Sequence, residues 1–323
     1  MGRRISLNYF KDKEVLITGG SGSLGKTLTK ILQIEYKPKG IRLYSRDEYK
    51  QWIFKQELKQ LKLDKNISFI IGDVRDLKSL TLAMKGVDIV INTAAMKQIP
   101  ACENNPIQAV QTNVIGAQNI IYAALETKPY KVMHISTDKN CNPINLYGAT
   151  KMCAEKLFIH ANVYTGRRNP QFACCRYGNV FGSRGSILPL FRKQIEDGLP
   201  LTVTNKEMTR FWISLTDVVH FLLERICYMK EGSVYIPKMP SASIMDIIEV
   251  LSPKSEIKIT GVRKGEKLHE MLINREDSLY VKIHDNYYEI KEKKRNESSF
   301  TLTSKNCSWK LQKEEIRKMI EEL

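Results

Sequence analysis

The sequence predicts an α/β fold, a doubly wound parallel sheet with a smaller C-terminal region, and three observations carry that prediction. Short apolar runs alternate with stretches of helical period through the first half of the chain. A glycine-rich turn follows the first of those runs. After about Gly182 the alternation loosens into short helices, proline-containing turns and isolated strands. Strands joined by crossovers of this length imply parallel pairing with helices on both faces, and right-handed connections.

Each element has its own signal. EVLIT (14–18) is apolar and ends at glycines. Residues 24–34 have helical period. IRLYS (41–45) reads as a second strand and residues 47–61 as a second helix. ISFIIGD is a third strand and VDIVINTAA a fourth. Residues 106–125 form a long helical pattern, KVMHIST a fifth strand, 146–164 another helix and QFACCRYGNVF a sixth strand. Beyond these, FWISLTDVVHFLLERI and SIMDIIEVL read as helices. There is no internal repeat and no low-complexity linker.

Composition excludes several classes. The 323 residues are 42% hydrophobic and 27% charged, which is ordinary for a globular chain with a large core. No apolar run approaches the roughly 18 residues of a bilayer span, so no membrane partner is expected. The N-terminus carries Arg3 and Arg4 without an apolar leader, which predicts a cytoplasmic protein. Ser6 gives the start a partial myristoylation pattern, which that basic context disfavours. Seven cysteines, an odd number with no C-x-x-C, read as free thiols in a reducing compartment. The five histidines lack metal-ligand spacing, so no metal is predicted. The net charge of +16 is scattered. Its one cluster, Lys291, Lys293, Lys294 and Arg295, is interrupted by Glu292 and followed by Glu297. That is a solvated face rather than a nucleic-acid surface, although some of the remaining cations suit a cleft for an anionic nucleotide.

The glycine turn is TGGSGSLGK, with Gly19, Gly22 and Gly25 in G-x-x-G-x-x-G and Ser21, Ser23 and Leu24 among them. Glycines here allow a tight turn, backbone approach to a pyrophosphate and close helix–strand packing, with the helix N-terminus facing the phosphates. This is the signature of a Rossmann dinucleotide site. GSGSLGKT from Gly20 also matches a P-loop string, but no Mg²⁺-site signature follows it. The second strand ends in Ser45-Arg46 instead of an acidic residue. A hydroxyl and a guanidinium, with Lys50 nearby, suit a 2′-phosphate and favour NADP over NAD. The alternative is that Arg46 is a surface arginine and Asp47 caps the second helix. Residues 1–181 then form the NADP-binding domain, and 182–323 a substrate-binding region partly interleaved with it.

Residues 136–151, STDKNCNPINLYGATK, hold the chemistry. Tyr147 and Lys151 stand four apart on one helical face. An ammonium beside a phenol lowers its pKa and makes it a base, and the same lysine can hold a nicotinamide ribose. After a strand ending in Ser136-Thr137, this Y-x-x-x-K resembles the extended branch of the short-chain dehydrogenase/reductase superfamily. With Asp138-Lys139, and with SRDEYKQ, IGDVRD, AAMKQIP, RYGNVFGSRGS, MTRFWISL and GVRKGEKLHE, the chain resembles the inverting UDP-N-acetylglucosamine 4,6-dehydratases of pseudaminic-acid-type sugar pathways. The likeness runs to about Arg275. Tyr147 separates it from a related branch that carries methionine there.

The resemblance implies a lyase that oxidises C4 of the sugar, removes the C5 proton, expels the C6 hydroxyl as water and returns hydride to C6 with inversion at C5. The product is UDP-2-acetamido-2,6-dideoxy-β-L-arabino-hex-4-ulose. It makes Lys139 the C5 base, Asp138 the acid for the leaving hydroxyl, and Tyr147 with Lys151 the C4 pair. Lys139 can be a base only if its pKa falls well below the free value of about 10.4, through burial or a cation such as Lys97. The alternative for Asp138-Lys139 is a surface turn pair. Asp73 and Val74 would contact adenine, with Ala94, Lys97 and Ser136 along the cofactor, while Asp76 reads as a helix N-cap. Lys97, Asn179, Arg210 and Arg263 would face the nucleotide sugar, the arginines its diphosphate. The alternative for Arg210 is a structural ion-pair partner. Asn113, beside Thr112, is expected to support the site from behind, and Phe211-Trp212 to lie in the core. The family further implies a homo-oligomer, dimer or hexamer, with the helices at 106–125 and 146–164 pairing across a two-fold axis. An epimerase or reductase of the same superfamily, or a non-catalytic NADP-binding scaffold, are the alternatives.

Overall fold

The computed structural model describes residues 8–166, 168–183, 185–291 and 295–322. Arg3, Arg4, Ser6, Arg184 of the VFGSRGS loop, and Glu292, Lys293 and Lys294 of the basic cluster lie outside the described residues.

The first half alternates as predicted. β1 (Glu14–Thr18) leads through α1 (Ser23–Ile31) to β2 (Gly40–Ser45), then α2 (Glu48–Gln60), β3 (Ile67–Ile71), α3 (Leu77–Met84) and β4 (Ile89–Asn92). Three short helices follow: α4 (Ile99–Asn104), α5 (Pro106–Val110) and α6 (Gly116–Thr127). β5 (Lys131–Ile135), α7 (Leu146–His160) and β6 (Gln171–Cys175) complete this half. The strands can be apolar on both faces because helices cover both sides. Val15, Leu16, Ile17, Ile89, Val90 and Ile91 are all fully buried.

The second half weaves between two cores. β7 (Asn179–Val180), α8 (Ile187–Glu196), β8 (Leu201–Val203) and β9 (Thr209–Ile213) leave the main sheet. α9 (Leu215–Cys227) and β10 (Val234–Pro237) return to it. β11 (Ser241–Ser243), α10 (Ile244–Leu251) and β12 (Ile257–Ile259) leave again. β13 (Met271–Ile273), α11 (Arg275–Ser278), β14 (Val281–Ile283), β15 (Tyr287–Ile290), β16 (Leu302–Thr303) and α12 (Lys313–Glu321) finish the chain. Among the described residues the main sheet has nine strands in the order β14-β15-β10-β6-β5-β4-β1-β2-β3. It is parallel from β3 to β10, and β15 and β14 add an antiparallel edge. A second core gathers Phe191, Leu201, Trp212, Ile247 and Ile316. The order of the strands reverses between β1 and β4, which opens a crevice at their carboxyl ends.

Four local readings need correction. The pattern at 106–125 is broken by a π-helical turn, Gln111–Ile115, between α5 and α6. QFACCRYGNVF is two strands in different sheets, because the chain bends at Arg176–Gly178. FWI is strand, not helix: Phe211, Trp212 and Ile213 end β9, and Ser214 caps α9 by accepting from Asp217 N. The helix beginning at Leu146 ends at His160 and tightens into a 3₁₀ turn over Ala161–Thr165.

Candidate active site

A cleft of about 1100 Å³ opens above the switch point. At one end, Gly19 has φ +69°, and a Cβ there would lie 2.8 Å from Thr93 Oγ1 and 2.9 Å from Ala94 N. The backbone thus passes where no side chain fits, which is what close approach of a dinucleotide needs. Ser21, Gly22, Ser23 and Leu24 line the same end, and α1 starts there without a side-chain cap or an acidic residue in its first turn. Its N-terminal N–H groups face the cleft, as phosphate binding requires. Gly25 stands behind, where a Cβ would come 2.7 Å from Gly20 Cα, so it serves helix–strand packing. Lys26, the lysine of the P-loop string, turns away to Glu57 at 2.7 Å over the Phe54 ring.

Further along, the end of β2 supplies Ser45, Arg46 and Lys50, and the loop after β3 supplies Asp73 and Val74. Arg46 is within 3.6 Å of Asp73, and Lys50 pairs with Asp47, the N-cap of α2. Both the helix-cap alternative for Asp47 and a cationic rim at Arg46 and Lys50 are therefore present in one place. Asp76 caps α3 through Ser79 N. Ala94 and Lys97 line the middle of the cleft.

The π-helical turn explains Asn113. It is buried, accepts from Met96 N at 2.8 Å, and donates to Met96 O at 2.9 Å and Thr150 Oγ1 at 3.0 Å. It clamps the backbone just before Lys97 and ties it to α7, the helix that carries Tyr147 and Lys151.

The far end holds side chains of residues 136–151. Asn145 caps α7 by accepting from Gly148 N at 2.7 Å. Tyr147, Lys151, Ala154, Glu155 and Phe158 then fall on its buried face at helical spacing. Burial pushes the Tyr147 phenol up to about 12, against the Lys139 charge and a hydrogen bond with Thr137. The cation acting on the phenol is thus Lys139. Lys151 turns inward, where its Nζ meets Ile135 O at 2.5 Å and His134 Nε2 at 2.9 Å. Burial brings its pKa down to about 8. His134 is itself buried, held at Nδ1 by Asn92 and stacked on Phe158.

Asp138 and Lys139 occupy a 3₁₀ turn capped by Thr137. The turn is bolted from below: Asn140 Nδ2 donates to Ser136 Oγ at 2.8 Å and to Glu155 Oε2 at 2.6 Å. Glu155 in turn meets Arg176 at 2.5 Å, and Arg176 reaches Asp277 at 2.7 Å. This pair is no surface turn. Asp138 is fully buried, and the Lys139 side chain is only 19% exposed. Lys139 Nζ lies 3.0 Å from Asp138 Oδ1, 3.0 Å from Asn179 Oδ1 and 3.5 Å from Glu270 Oε1. Burial alone would lower the lysine pKa, but Asp138 and Glu270 outweigh it and hold the ammonium above its ordinary value. The depressed lysine pKa asked of a base is therefore absent from the site as it stands. Burial, with Glu270 adding to it against Lys139, raises the Asp138 carboxyl. Glu270 keeps its charge, with Lys139 and Arg210 offsetting its burial.

Lys139, Tyr147, Lys151, Ser136 and Asn179 all line the cleft, as does Arg263 at its mouth. Arg210 is placed otherwise than a diphosphate ligand would be. It is buried behind the wall, donating to Thr209 O and Leu268 O and lying 3.8 Å from Glu266 and 4.0 Å from Glu270. The structural ion-pair alternative describes its position. Sequence reasoning missed Glu270, Thr137 and His134. Glu270 stood inside GVRKGEKLHE, but nothing local marks it as facing residue 139. Among the described residues no helix is long and apolar enough to cross a membrane.

Comparison with known proteins agrees with this geometry. The model of the family described as polysaccharide biosynthesis protein matches residues 15–292. An inverting UDP-N-acetylglucosamine 4,6-dehydratase of Campylobacter jejuni is 48% identical over 87% of this chain and 83% of its own. A UDP-glucose 4-epimerase of Rickettsia canadensis is 40% identical over 87% of this chain and 83% of its own. The X-ray structure of Pen from Bacillus thuringiensis superposes with a TM-score of 0.91 at 36% identity, covering 98% of this chain and 99% of that one. The chain belongs to the polysaccharide biosynthesis protein family, the family to which the inverting UDP-N-acetylglucosamine 4,6-dehydratases also belong.

Proposed function

We propose that this protein is an NADP-dependent inverting UDP-N-acetylglucosamine 4,6-dehydratase. The observation that carries the reading is that Lys139 and Tyr147 line one end of the cleft, with Asp138 buried directly behind Lys139 at 3.0 Å. The relative of 48% identity is named an inverting UDP-N-acetylglucosamine 4,6-dehydratase. NADP, when bound, would supply the chemistry of taking hydride from C4 and returning it to C6. Gly19, Ser21–Leu24 and the N-terminus of α1 would hold its pyrophosphate, Arg46 and Lys50 its 2′-phosphate, Asp73 and Val74 its adenine, and Lys151 its nicotinamide ribose.

The chain's own residues then divide the proton work. Tyr147, whose phenol pKa burial holds high rather than low, accepts the C4 hydroxyl proton once it has given up its own. The resulting 4-ketone acidifies C5, and Lys139 removes that proton once it has shed its own. Asp138, whose raised pKa suits a donor, protonates the departing C6 hydroxyl. Gly178 lines the cleft beside it; a Cβ there would stand 3.3 Å from Asp138 Oδ2. Reprotonation of C5 from the opposite face inverts the centre. Asn179 orients Lys139, and Lys97 and Arg263 face the nucleotide sugar, with Arg263 the arginine positioned for its diphosphate. The exposed apolar side chains Ile107, Val110, Tyr122 and Met152 along α5, α6 and α7 support a homo-oligomer built on these helices.

Proton NMR of the protein with UDP-N-acetylglucosamine in heavy water tests the reading. The expected result is a 4-keto-6-deoxy sugar with the L-arabino configuration, deuterium at C5 and no net NADPH. The 4-epimerase name of the 40% identical relative supports a second reading. A C4 epimer that retains its C6 hydroxyl would establish that instead.

A further inference from the structure

Lys139 must be uncharged to take a proton from carbon, yet the structure surrounds it with acceptors. Its ammonium has three protons and three partners: Asp138 Oδ1 and Asn179 Oδ1 at 3.0 Å and Glu270 Oε1 at 3.5 Å. Asn179 cannot take a proton. Asp138 cannot take one either while it holds the proton that the leaving hydroxyl needs. Glu270 remains.

Glu270 is built as an internal acid–base group. It stands just before β13, 3% exposed, with its N–H donated to Ser304 Oγ and its carbonyl accepting from Ser304 N. Its Oε2 is buried without a hydrogen-bond partner, as is Asp138 Oδ2. A buried carboxylate oxygen left unpaired is costly, and that cost falls when the group is neutralised. The other charged groups around it are Arg210 at 4.0 Å, Glu266 on the far side of Arg210, and Lys267, with Tyr147 beyond Asp138.

We infer that Glu270 is the internal proton acceptor that discharges Lys139, acting as a positioning residue one step removed from the sugar. The inference rests on the dehydratase reading. When the nucleotide sugar covers the cleft, water leaves the exposed face of the ammonium. An ion pair in a drier site gives way to its neutral form. One proton moves from Lys139 Nζ to Glu270 Oε1, leaving an amine and a carboxylic acid with no change in total charge. Asp138 keeps its own proton during this transfer, so base and acid coexist 3.0 Å apart until the C6 hydroxyl leaves. At rest the carboxyl held high, Asp138, is the one suited to carry a proton, and the one held low, Glu270, is the ionised carboxylate within reach of Lys139 Nζ.

The test separates C4 oxidation from C5 proton removal. In single turnovers of the NADP-loaded protein with UDP-N-acetylglucosamine, Glu270→Gln is expected to reduce the cofactor at the wild-type rate. It should then stall with NADPH accumulated, losing roughly 10²-fold in the rate of C5 deuterium uptake and water loss. Glu270→Asp, which retains a carboxylate, should recover most of that loss. Wild-type partitioning in Glu270→Gln would overturn the inference, as would equal loss in Gln and Asp variants with unchanged folding. Should Glu270→Gln fail to fold, infrared difference spectra of the wild type decide. A protonated-carboxyl band that appears on adding the nucleotide sugar and shifts in Glu270→Asp supports the transfer, and no such band refutes it. Failure of the dehydratase reading would look different, since the wild type itself would then release no keto product.

Discussion

Gly148 packs so tightly over Lys139 that a Cβ at 148 would stand 2.2 Å from the Lys139 carbonyl oxygen. The first turn of α7 and the turn that carries Lys139 are in direct backbone contact, and the missing side chain is what allows it. Gly148→Ala should therefore displace one against the other. We expect a loss of roughly 1–3 kcal/mol in stability together with a large fall in turnover, read by thermal denaturation and product NMR. Wild-type melting and activity would show that the two turns are not rigidly coupled.

Lys139→Ala removes the amine without touching the dinucleotide end of the cleft. The variant is expected to fold and to bind NADP, yet to lose about 10²–10⁴ in turnover. Deuterium at C5 is the sensitive readout, because it needs only the first proton transfer. Undiminished exchange would rule Lys139 out as the base.

Arg46 and Lys50 form the cationic rim. Arg46→Ala should weaken NADP binding by about one to two powers of ten, the worth of a charge-assisted hydrogen bond, and leave NAD binding nearly unchanged. Equal weakening of both cofactors, measured by calorimetry, would mean that Arg46 contacts something other than the 2′-phosphate.

The buried Glu155–Arg176–Asp277 network ties the 138–140 turn to the C-terminal segment. Glu155→Ala leaves Arg176 buried with one partner fewer and should cost about 3–5 kcal/mol. The pH dependence follows from the same group. Burial alone would raise the Glu155 carboxyl, but Arg176 and its hydrogen bonds lower it below its ordinary 4.5. Its contribution is therefore present above that value and disappears as pH falls below it and through the folded-state pKa. Chemical denaturation of wild type and Glu155→Gln between pH 7 and 3 should converge at the acid end, where parallel curves would contradict the assignment.

Much of the fold was legible because its determinants are local. Period and punctuation gave β1 to β5, and the glycine turn marked the crevice. FWI was misread because its apolar run joins a helical one, and only pairing with Ser241–Ser243 and Asn179–Val180 makes it a strand. Tyr147 and Lys151 were found from spacing, yet their electrostatics were not. Lys151 binds a backbone carbonyl on β5, and Lys139 sits nearer the charge balance of the phenol.

Sequence alone singled out the side chains proposed to carry the chemistry, the position of the glycine turn and the family the chain resembles, since each is written in neighbouring residues. Tertiary structure decided how those side chains are charged. Glu270 lies 131 residues after Lys139 and reaches it only because β13 packs against the 138–140 turn. Protonation depends on burial and on charges a few ångströms away, and neither has any fixed relation to distance along the chain.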